Sequence, residues 1–354
     1  MIGQKAATRN IRTPEWKFTV NTEATAAGEK KTGIPFNLYQ QPGITLEVNW
    51  GDGTSNTLTE SNYTVNDSRA SVHEYASAGT YQVSIRIRGV RRAYILTINS
   101  NANISTVNNA VAPLYWWRRT LISVDNALPR LKGINYYNSP TSTSSLYKEN
   151  NIFYYLFYRC SSLQSIPSGL FDKNTAVTGF YYCFYNCSSL QSIPSGLFDK
   201  NTAVTDFGGC FSSCTSIQSI PSGLFDKNTE VKDFGSIFNN CTLLVEIPAG
   251  LFDKNIEATY FAYCFYNCYK LASIPENIFK YNTSVTDIHS CFRSCSALTD
   301  FTLHIGSSLI TNCSSFVTKK AGTTRTVYVP ASSTTYTTFS NQATTLGLTI
   351  ETVS

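Results

Sequence analysis

The stretch CFYNCSSLQSIPSGLFDKNTAVTDF, residues 183–207, decides the fold, because close copies of it recur along the chain every 27 residues. Residues 157–183 and 184–210 are so alike that they differ at only four positions. A fixed period of this length is typical of repeat proteins, in which each copy buries its apolar side chains against its neighbours. The strictest marker of the period is one cysteine in each of six copies: Cys160, Cys187, Cys214, Cys241, Cys268 and Cys295.

Each copy contains two apolar patterns. The first is L-x-x-I-P-x-x-L-F, residues 190–198 in the quoted copy, and it predicts a short strand that ends at the proline, which cannot donate to a sheet. The second has spacings of 3, 3, 1 and 3 residues, which predict one face of a helix. It comprises Val204, Phe207, Cys210, Phe211 and Cys214. We therefore expect one strand and one helix per copy, stacked into an α/β solenoid.

An asparagine recurs between the two patterns. In the first copy it directly follows the pair Asp172 and Lys173. A turn asparagine can hydrogen-bond to backbone groups, so the recurrence predicts a structural ladder that links neighbouring coils, with a ligand site as the alternative. The Asp-Lys pairs are expected to form a solvated rim. The asparagines of the predicted ladder are Asn174, Asn201, Asn228, Asn255 and Asn282.

The chain has 11 cysteines, some of them in pairs four residues apart that would share a helix face. Zinc sites usually have shorter gaps or a mixture of cysteine and histidine. The position paired with Cys160 holds Leu156, and the one paired with Cys241 holds Ile237, so cysteine serves there as a small apolar residue. Disulfides between coils are the alternative, although parallel side chains and an odd total oppose them. We predict free, buried thiols, suited to a reducing compartment, with no metal and no cofactor.

The N-terminal part alternates apolar and polar residues in the segments 16–20, 45–50 and 81–87, with turn residues between them. This pattern predicts a small antiparallel β-sandwich. Two landmarks stand in it: W-G-D-G-T at residues 50–54 and H-E-Y-A-S-A-G-T-Y at residues 73–81.

These two landmarks resemble those of PKD-like immunoglobulin-type domains. The resemblance implies that Trp50 lies in the core, that Asp52 shapes a tight turn, and that His73 is structural rather than a catalytic base. The quoted repeat is similar to the BspA-like branch of leucine-rich repeats, over roughly residues 115–330. This second resemblance implies a degenerate first coil at residues 121–134 and a closing strand–turn–strand cap from Val327 onward.

The predicted organisation has five parts: an N-terminal arm at 1–12, a PKD-like β-sandwich at 13–98, a linker with a degenerate N-terminal repeat at 99–150, leucine-rich-type repeats at 151–320 and a C-terminal cap at 321–354.

Composition excludes several functions. The net charge is only +5, which is too small to indicate nucleic-acid binding, and the basic stretch of residues 86–92 is interpreted as a solvated strand face. No apolar run is long enough to insert into a membrane. The first ten residues lack a secretory signal. We therefore expect the chain to remain where it is made, to leave inside a particle, or to have lost its leader.

No catalytic pattern surrounds any of the three histidines, His73, His289 and His304, so the sequence does not predict an enzyme. A surface component of a phage virion is expected, such as a head fibre, a decoration protein or a tail-associated protein. The alternative is an exported adhesin on the bacterial cell surface. The expected partners are other virion subunits or a cell-surface glycan or protein, and a homo-oligomer is one option.

Pairs of tyrosines three residues apart are the candidate binding residues, because each pair would share a helix face. Tyrosine offers flat apolar area and a hydroxyl group, which suit contacts with proteins or sugar rings. The corresponding positions of the third and fourth copies hold glycine, serine or asparagine. The alternative is that the rings only cover neighbouring helices. The candidate residues are Tyr155, Tyr158, Tyr182, Tyr185, Tyr263 and Tyr266.

Overall fold

The structure is a computed structural model that describes residues 15–24, 30–34, 36–37, 45–59, 72–88, 97–98, 120–128, 133–134, 149–150 and 153–353. The predicted arm at 1–12 and most of the predicted linker lie outside these residues. The described part is β-rich and contains one α-helix near the C-terminus. No helix in these ranges has the length and apolar character needed to cross a bilayer.

The N-terminal part is built around a five-stranded antiparallel sheet with the order β5-β4-β7-β1-β9. Two small antiparallel pairs, β2 with β6 and β3 with β8, accompany it. Alternate residues of β1 are buried, which places Trp16, Phe18 and Val20 in the core, as the alternating sequence predicts. The strands are β1 (Glu15–Asn21), β2 (Lys31–Gly33), β3 (Phe36–Asn37), β4 (Thr45–Asn49), β5 (Ser55–Thr59), β6 (Val72–Glu74), β7 (Thr80–Arg88), β8 (Thr97–Ile98) and β9 (Leu121–Val124).

Strand β9 joins the N-terminal sheet to the repeats. One of its edges pairs with β1, and its other edge forms a parallel bridge between Ser123 and Ser165. The N–H of Gln164 also donates to the carbonyl of Ile122 at 2.8 Å. The segment predicted to be a degenerate first coil therefore does stack on the first full copy, and it belongs to the sheet as well. Beyond it, β10 (Gly133–Ile134) pairs with β11 (Glu149–Asn150).

The successive copies stack through parallel bridges one period apart, and we number them as coils. Coil 1 runs from Phe153, and coils 2–6 begin at Gly179, Asp206, Asp233, Tyr260 and Asp287. Each of these five residues is bridged to its counterpart in the next coil, and the last of them is bridged to Asn312.

The helix predicted for each copy is wrong, because residues 153–300 contain no α-helix. The segment instead forms successive tight turns. In coil 2 the N–H of Cys183 donates to the carbonyl of Phe180 at 3.0 Å, and that of Tyr185 donates to Tyr182 at 3.2 Å. These bonds span three residues rather than the four of an α-helix.

Every second N–H group of the same segment instead donates to a carbonyl of the next coil. Tyr182 donates to the carbonyl of Gly208 at 2.9 Å, and Phe184 donates to that of Cys210 at 2.8 Å. This alternation needs a left-handed backbone at every fourth residue, with φ of 51° at Tyr182 and 57° at Asn186. Left-handed residues interrupt an α-helix. The segment thus bonds its neighbours as a strand would, while its apolar side chains keep a helix-like spacing.

The prediction of a regular strand at L-x-x-I is also wrong within the repeats. The segment is extended, but neighbouring coils are joined there by isolated bonds, such as that from the N–H of Ala272 to the carbonyl of Val245 at 3.2 Å. The repeated parallel bridges lie in the segment predicted to be helical.

The C-terminal cap is a parallel sheet of β12 (Phe301–His304), β13 (Arg325–Pro330) and β14 (Thr349–Val353). A helix, α1 (Thr334–Leu346), connects the last two strands, so the cap is strand–helix–strand and not the expected strand–turn–strand. Arg325 is buried, and its guanidinium donates to three carbonyls at the end of the stack: Leu298 at 2.9 Å, Thr299 at 2.9 Å and Thr318 at 2.7 Å.

Candidate functional site

The recurring cysteines form a column inside the stack. All 11 cysteines lie in the continuous described stretch 153–353, where each is buried and none forms a disulfide. The thiol of Cys214 donates to the carbonyl of Phe184 at 3.1 Å, and those of Cys187, Cys241, Cys268 and Cys295 make the same bond one coil apart. Burial raises the pKa of Cys187 and of Cys241 well above the ordinary value of a thiol. These groups remain protonated and unreactive at neutral pH.

The recurring asparagines form a second interior column. The side-chain amide of Asn228 donates to the carbonyl of Asn201 at 2.9 Å and to that of Phe198 at 3.1 Å, both in the preceding coil. Asn201, Asn255 and Asn282 make equivalent pairs of bonds. All five asparagines of the predicted ladder are buried. The last four of them link their coils to the preceding coil, and burial leaves a solvent-borne ligand no access to any of the five.

Phenylalanine rings stack along the interior in the same way. The ring of Phe211 is parallel to that of Phe184, with centroids 5.3 Å apart, and to that of Phe238 at 5.8 Å. The recurring phenylalanine, asparagine and cysteine side chains of the repeats are therefore buried in these interior columns. A candidate binding site has to be sought on the outer side chains.

Four of the predicted tyrosines form one continuous aromatic surface on coils 1 and 2. We call Tyr155, Tyr158, Tyr182 and Tyr185 the tyrosine platform. The rings of Tyr158 and Tyr185 are nearly parallel, with centroids 4.9 Å apart, and those of Tyr155 and Tyr182 lie 5.7 Å apart. Within each coil the two rings meet edge to face. All four are half-buried, so each ring keeps part of its surface in water.

The other two predicted tyrosines lie on coil 5. Tyr263 is 37% exposed and meets Tyr266 edge to face at 5.6 Å. Its ring also meets that of His289 at 4.6 Å. The structure therefore brings the six candidate tyrosines together in two groups on one side of the stack, with coils 3 and 4 between them.

The glycines of the middle coils make room for neighbouring rings. A Cβ atom on Gly209 would lie 2.1 Å from Cε1 of Tyr182, and one on Gly208 would lie 2.9 Å from Cδ2 of Tyr181. From the other side, Tyr260 covers Gly235. The space that the sequence leaves empty on coils 3 and 4 is thus partly filled by rings from coils 2 and 5. The ring of Tyr182 thus covers Gly209 of the next coil.

An aspartate at the start of coils 3 and 4 borders this face, and the sequence analysis did not single it out. Asp206 accepts hydrogen bonds from the Tyr154 hydroxyl at 2.8 Å and from the N–H of Gly208 at 2.7 Å. Asp233 accepts one from the N–H of Gly235 at 2.6 Å. Burial raises the pKa of both carboxyl groups, although these bonds oppose the shift. The recurring D-F-G motif of residues 206–208 and 233–235 was the available signal.

Each of the three histidines lies beside a carboxylate. His73 Nε2 is 2.7 Å from Asp52 Oδ2, and the imidazole stacks on Trp50 with ring centroids 4.9 Å apart. The other two pairs are His289 with Asp287 at 2.6 Å and His304 with Glu276 at 2.9 Å. Over the described ranges, no three histidine, cysteine, aspartate or glutamate side chains are grouped so that they could hold a metal ion.

The basic stretch of the N-terminal sheet is paired where the structure describes it. Arg86 Nη2 lies 3.5 Å from Glu15 Oε1, and the guanidinium of Arg88 contacts Glu47. Arg91 and Arg92 lie outside the described residues. The two arginines that are described thus sit on a solvated strand face with acidic neighbours.

No protein-family model matches the chain, and no curated protein matches it. The resemblances to PKD-like domains and to BspA-like repeats accordingly rest on the quoted motifs, and function has to be argued from the surfaces described above.

Proposed function

We propose that the chain is a non-enzymatic structural and adhesion protein on the surface of a phage virion, as a head fibre, a decoration protein or a tail-associated protein. In this proposal a PKD-like β-sandwich precedes a leucine-rich-type solenoid whose outer face binds a partner. The coils have turns where leucine-rich repeats often have a helix. We propose that they are a turn-based form of this repeat.

One observation carries the non-enzymatic part of the proposal. The reactive and polar groups that recur in the repeats are directed inward, where Cys214 and Asn228 bond to the backbone of the preceding coil. Burial keeps such thiols protonated, so they are poor nucleophiles. A stack built in this way offers a stiff, extended surface of tyrosine, serine and asparagine to a partner.

The burial of the cysteines favours a virion over an exported adhesin. Eleven buried thiols, none of them in a disulfide, suit folding in a reducing cytoplasm, where virions assemble before the cell lyses. An exported adhesin would pass through a compartment that oxidises exposed thiols during folding. The bacterial cell-surface adhesin nevertheless remains the second candidate, because the same outer face would serve it.

Immunogold labelling tests the location. An antibody raised against the purified chain is applied to purified phage particles and to uninfected bacteria, with pre-immune serum as the control. Gold on the particles is the expected result, and its position distinguishes head from tail. Gold on the envelope of uninfected cells would support the adhesin instead, and label confined to the cytosol of infected cells would overturn both.

A further inference from the structure

We propose that the tyrosine platform binds a neutral polysaccharide, with a sugar ring stacked on the face of Tyr185 that is turned away from Tyr158, while the polymer continues across coils 3 and 4 toward Tyr263 and Tyr266. The inference rests on the proposed surface function and adds the chemical class of the ligand.

The rings of the platform are already arranged for stacking. Tyr158 and Tyr185 lie nearly parallel, 4.9 Å apart, and each is held edge-on by the second tyrosine of its coil. A ring held in this way loses little conformational freedom when a ligand arrives. Tyr185 has one face against Tyr158, whereas Ser212 is the small residue at its position in the next coil. The apolar C–H face of a sugar ring complements the second face of Tyr185, while the phenol hydroxyl can bond to a sugar hydroxyl.

Side-chain amides border the rings along the stack. Asn186 follows Tyr185 directly, and Asn240 and Asn267 take the same place in coils 4 and 5, where all three are half-buried. Their backbone is left-handed, with φ of 57°, 59° and 60°. An amide offers both a donor and an acceptor, which is the combination that sugar hydroxyls require.

Composition distinguishes a saccharide from a protein partner on this face. Leu243 and Val245, 42% and 49% exposed, belong to coil 4 but follow the turn segment that carries the face. Between the two tyrosine groups the face offers Ser236 and Asn239 rather than aliphatic side chains. Tyrosine suits protein partners as well, but the cores of protein interfaces are depleted in serine.

The turn segments that form the face carry few charges, which favours a neutral ligand. Asp206 and Asp233 border the face, but both accept hydrogen bonds from groups of the stack itself. In residues 154–159 and the equivalent segments of the other five coils, the sequence has no lysine and no carboxylate. Arg159 and Arg293 are the two arginines there, one at each end of the stack, and Arg159 already lies over the Tyr158 ring at 5.3 Å.

The period of the stack suits a polymer better than a single sugar. Neighbouring coils are about 5 Å apart, as hydrogen-bonded strands are, and a hexose in an extended chain advances by a similar distance. A polymer can therefore contact Tyr185, the polar side chains of coils 3 and 4, and the tyrosines of coil 5 at once, so that weak contacts add along the chain.

Affinity electrophoresis of the full chain provides the test. Native gels contain one soluble polymer each: dextran, mannan, xylan or a mixed-linkage β-glucan as neutral probes, and alginate as an acidic one. At least one neutral polymer should retard the wild-type chain. Tyr158→Ser with Tyr185→Ser should weaken that retardation by about tenfold or more, since the stacking ring of Tyr185 and the ring that supports it are both lost. Tyr158→Phe with Tyr185→Phe keeps the rings and should stay within about threefold of wild type.

The matched control is Tyr281→Ser with Tyr336→Ser. Both tyrosines are exposed, at 46% and 39%, and lie outside the proposed binding face. Serine already stands at the position of Tyr185 in coil 3, as Ser212, so the test variant should fold, and its thermal unfolding is compared with that of the control. The control should bind as wild type does.

Three outcomes overturn the proposal: no neutral polymer retards the chain, alginate alone does so, or the serine variant of the platform binds like its control. Loss of the saccharide proposal leaves gold labelling of the virion unaffected. Conversely, polysaccharide binding by a chain that labels neither particles nor cell surfaces would retain this site and remove the proposed location.

Discussion

The N–H of Gln164 donates to the carbonyl of Ile122 at 2.8 Å, and this bond connects the first coil to a strand of the N-terminal sheet. Ile122 lies in β9, whose other edge pairs with β1. The sheet and the stack are thus both bonded to strand β9. A change that destabilises the sheet should therefore destabilise the stack as well, and the reverse. Unfolding should be cooperative across the junction.

Gln164→Pro tests this coupling. Proline removes the N–H that bonds to Ile122, and we expect a loss of about 1–3 kcal/mol together with separate unfolding transitions for the sheet and the stack. Differential scanning calorimetry measures both effects. Gln164→Ala is the control, because the side chain is exposed and the N–H remains, so its effect should stay within about 0.5 kcal/mol. A single transition in the proline variant, with unchanged midpoint, would contradict the shared-strand account.

The asparagine column makes a second prediction. Asn228→Ala removes the amide that donates to the carbonyls of Phe198 and Asn201 and leaves both carbonyls buried without that donor. The free energy of unfolding in a denaturant titration should fall by roughly 1–3 kcal/mol, since two buried hydrogen bonds are lost while each carbonyl keeps a backbone donor. The neighbouring Thr229 is exposed, so Thr229→Ala should change stability by no more than about 0.5 kcal/mol. Similar losses in the two variants would mean that the column does not stitch the coils.

The sequence predicts these interior columns well and the backbone poorly. Cysteine recurs at the position of Cys214 in all six coils, and asparagine recurs at the position of Asn228 in coils 1–5. Cys214 and Asn228 each bond to backbone carbonyls of the preceding coil, so periodicity alone marks them as structural. The spacings that suggested a helix are also produced by successive three-residue turns. The helix and the turns differ in the backbone at Tyr182 and Asn186, where φ is left-handed in the turns. Nothing in the side chain of a tyrosine predicts that conformation.

The candidate site could be located only in part. The tyrosines were recognisable because they vary where the core does not, but their contacts depend on side-chain directions that a helix would have set differently. The role of Gly209 could not be predicted for the same reason. A glycine suggests an empty position on the face, whereas Gly209 accommodates the ring of Tyr182.

The thiols should resist modification in the folded chain. Burial raises the pKa of Cys187, Cys241 and Cys268 well above that of a free thiol, so the reactive thiolate is scarce as well as inaccessible. Iodoacetamide at pH 8 should label none of the 11 cysteines in the native protein and all of them after denaturation without reductant, as read by mass spectrometry. Fewer than the full number after denaturation would reveal disulfides, and zinc in the native mass would reveal a metal site.

Acid should weaken the N-terminal part through Asp52. Partial burial raises the pKa of this carboxyl, but hydrogen bonds from Thr54 and the contact with His73 outweigh it and lower the pKa from 3.8 to about 2. A carboxyl group with a lowered folded pKa stabilises the fold above its unfolded pKa, and that stabilisation is lost as the pH falls from about 4 to 2. Thermal unfolding of wild type and Asp52→Asn over this range measures the effect. The asparagine variant should lose less stability on acidification, and parallel curves would exclude Asp52 as the cause.

Gly209→Ala tests how the middle coils support the platform. The new Cβ would lie 2.1 Å from the ring of Tyr182, and the backbone there has a φ of 61°, which side chains rarely adopt. The ring has to move, so we expect a loss of about 1–3 kcal/mol in stability and a change in near-UV circular dichroism from the displaced tyrosine. Ser236 occupies the same position in coil 4 with a φ of 57°, so Ser236→Ala keeps a side chain at a comparable backbone angle and should have little effect. If Gly209→Ala left both stability and the aromatic signal unchanged, the ring of Tyr182 would not rest on coil 3, and the platform would lack its support on that side.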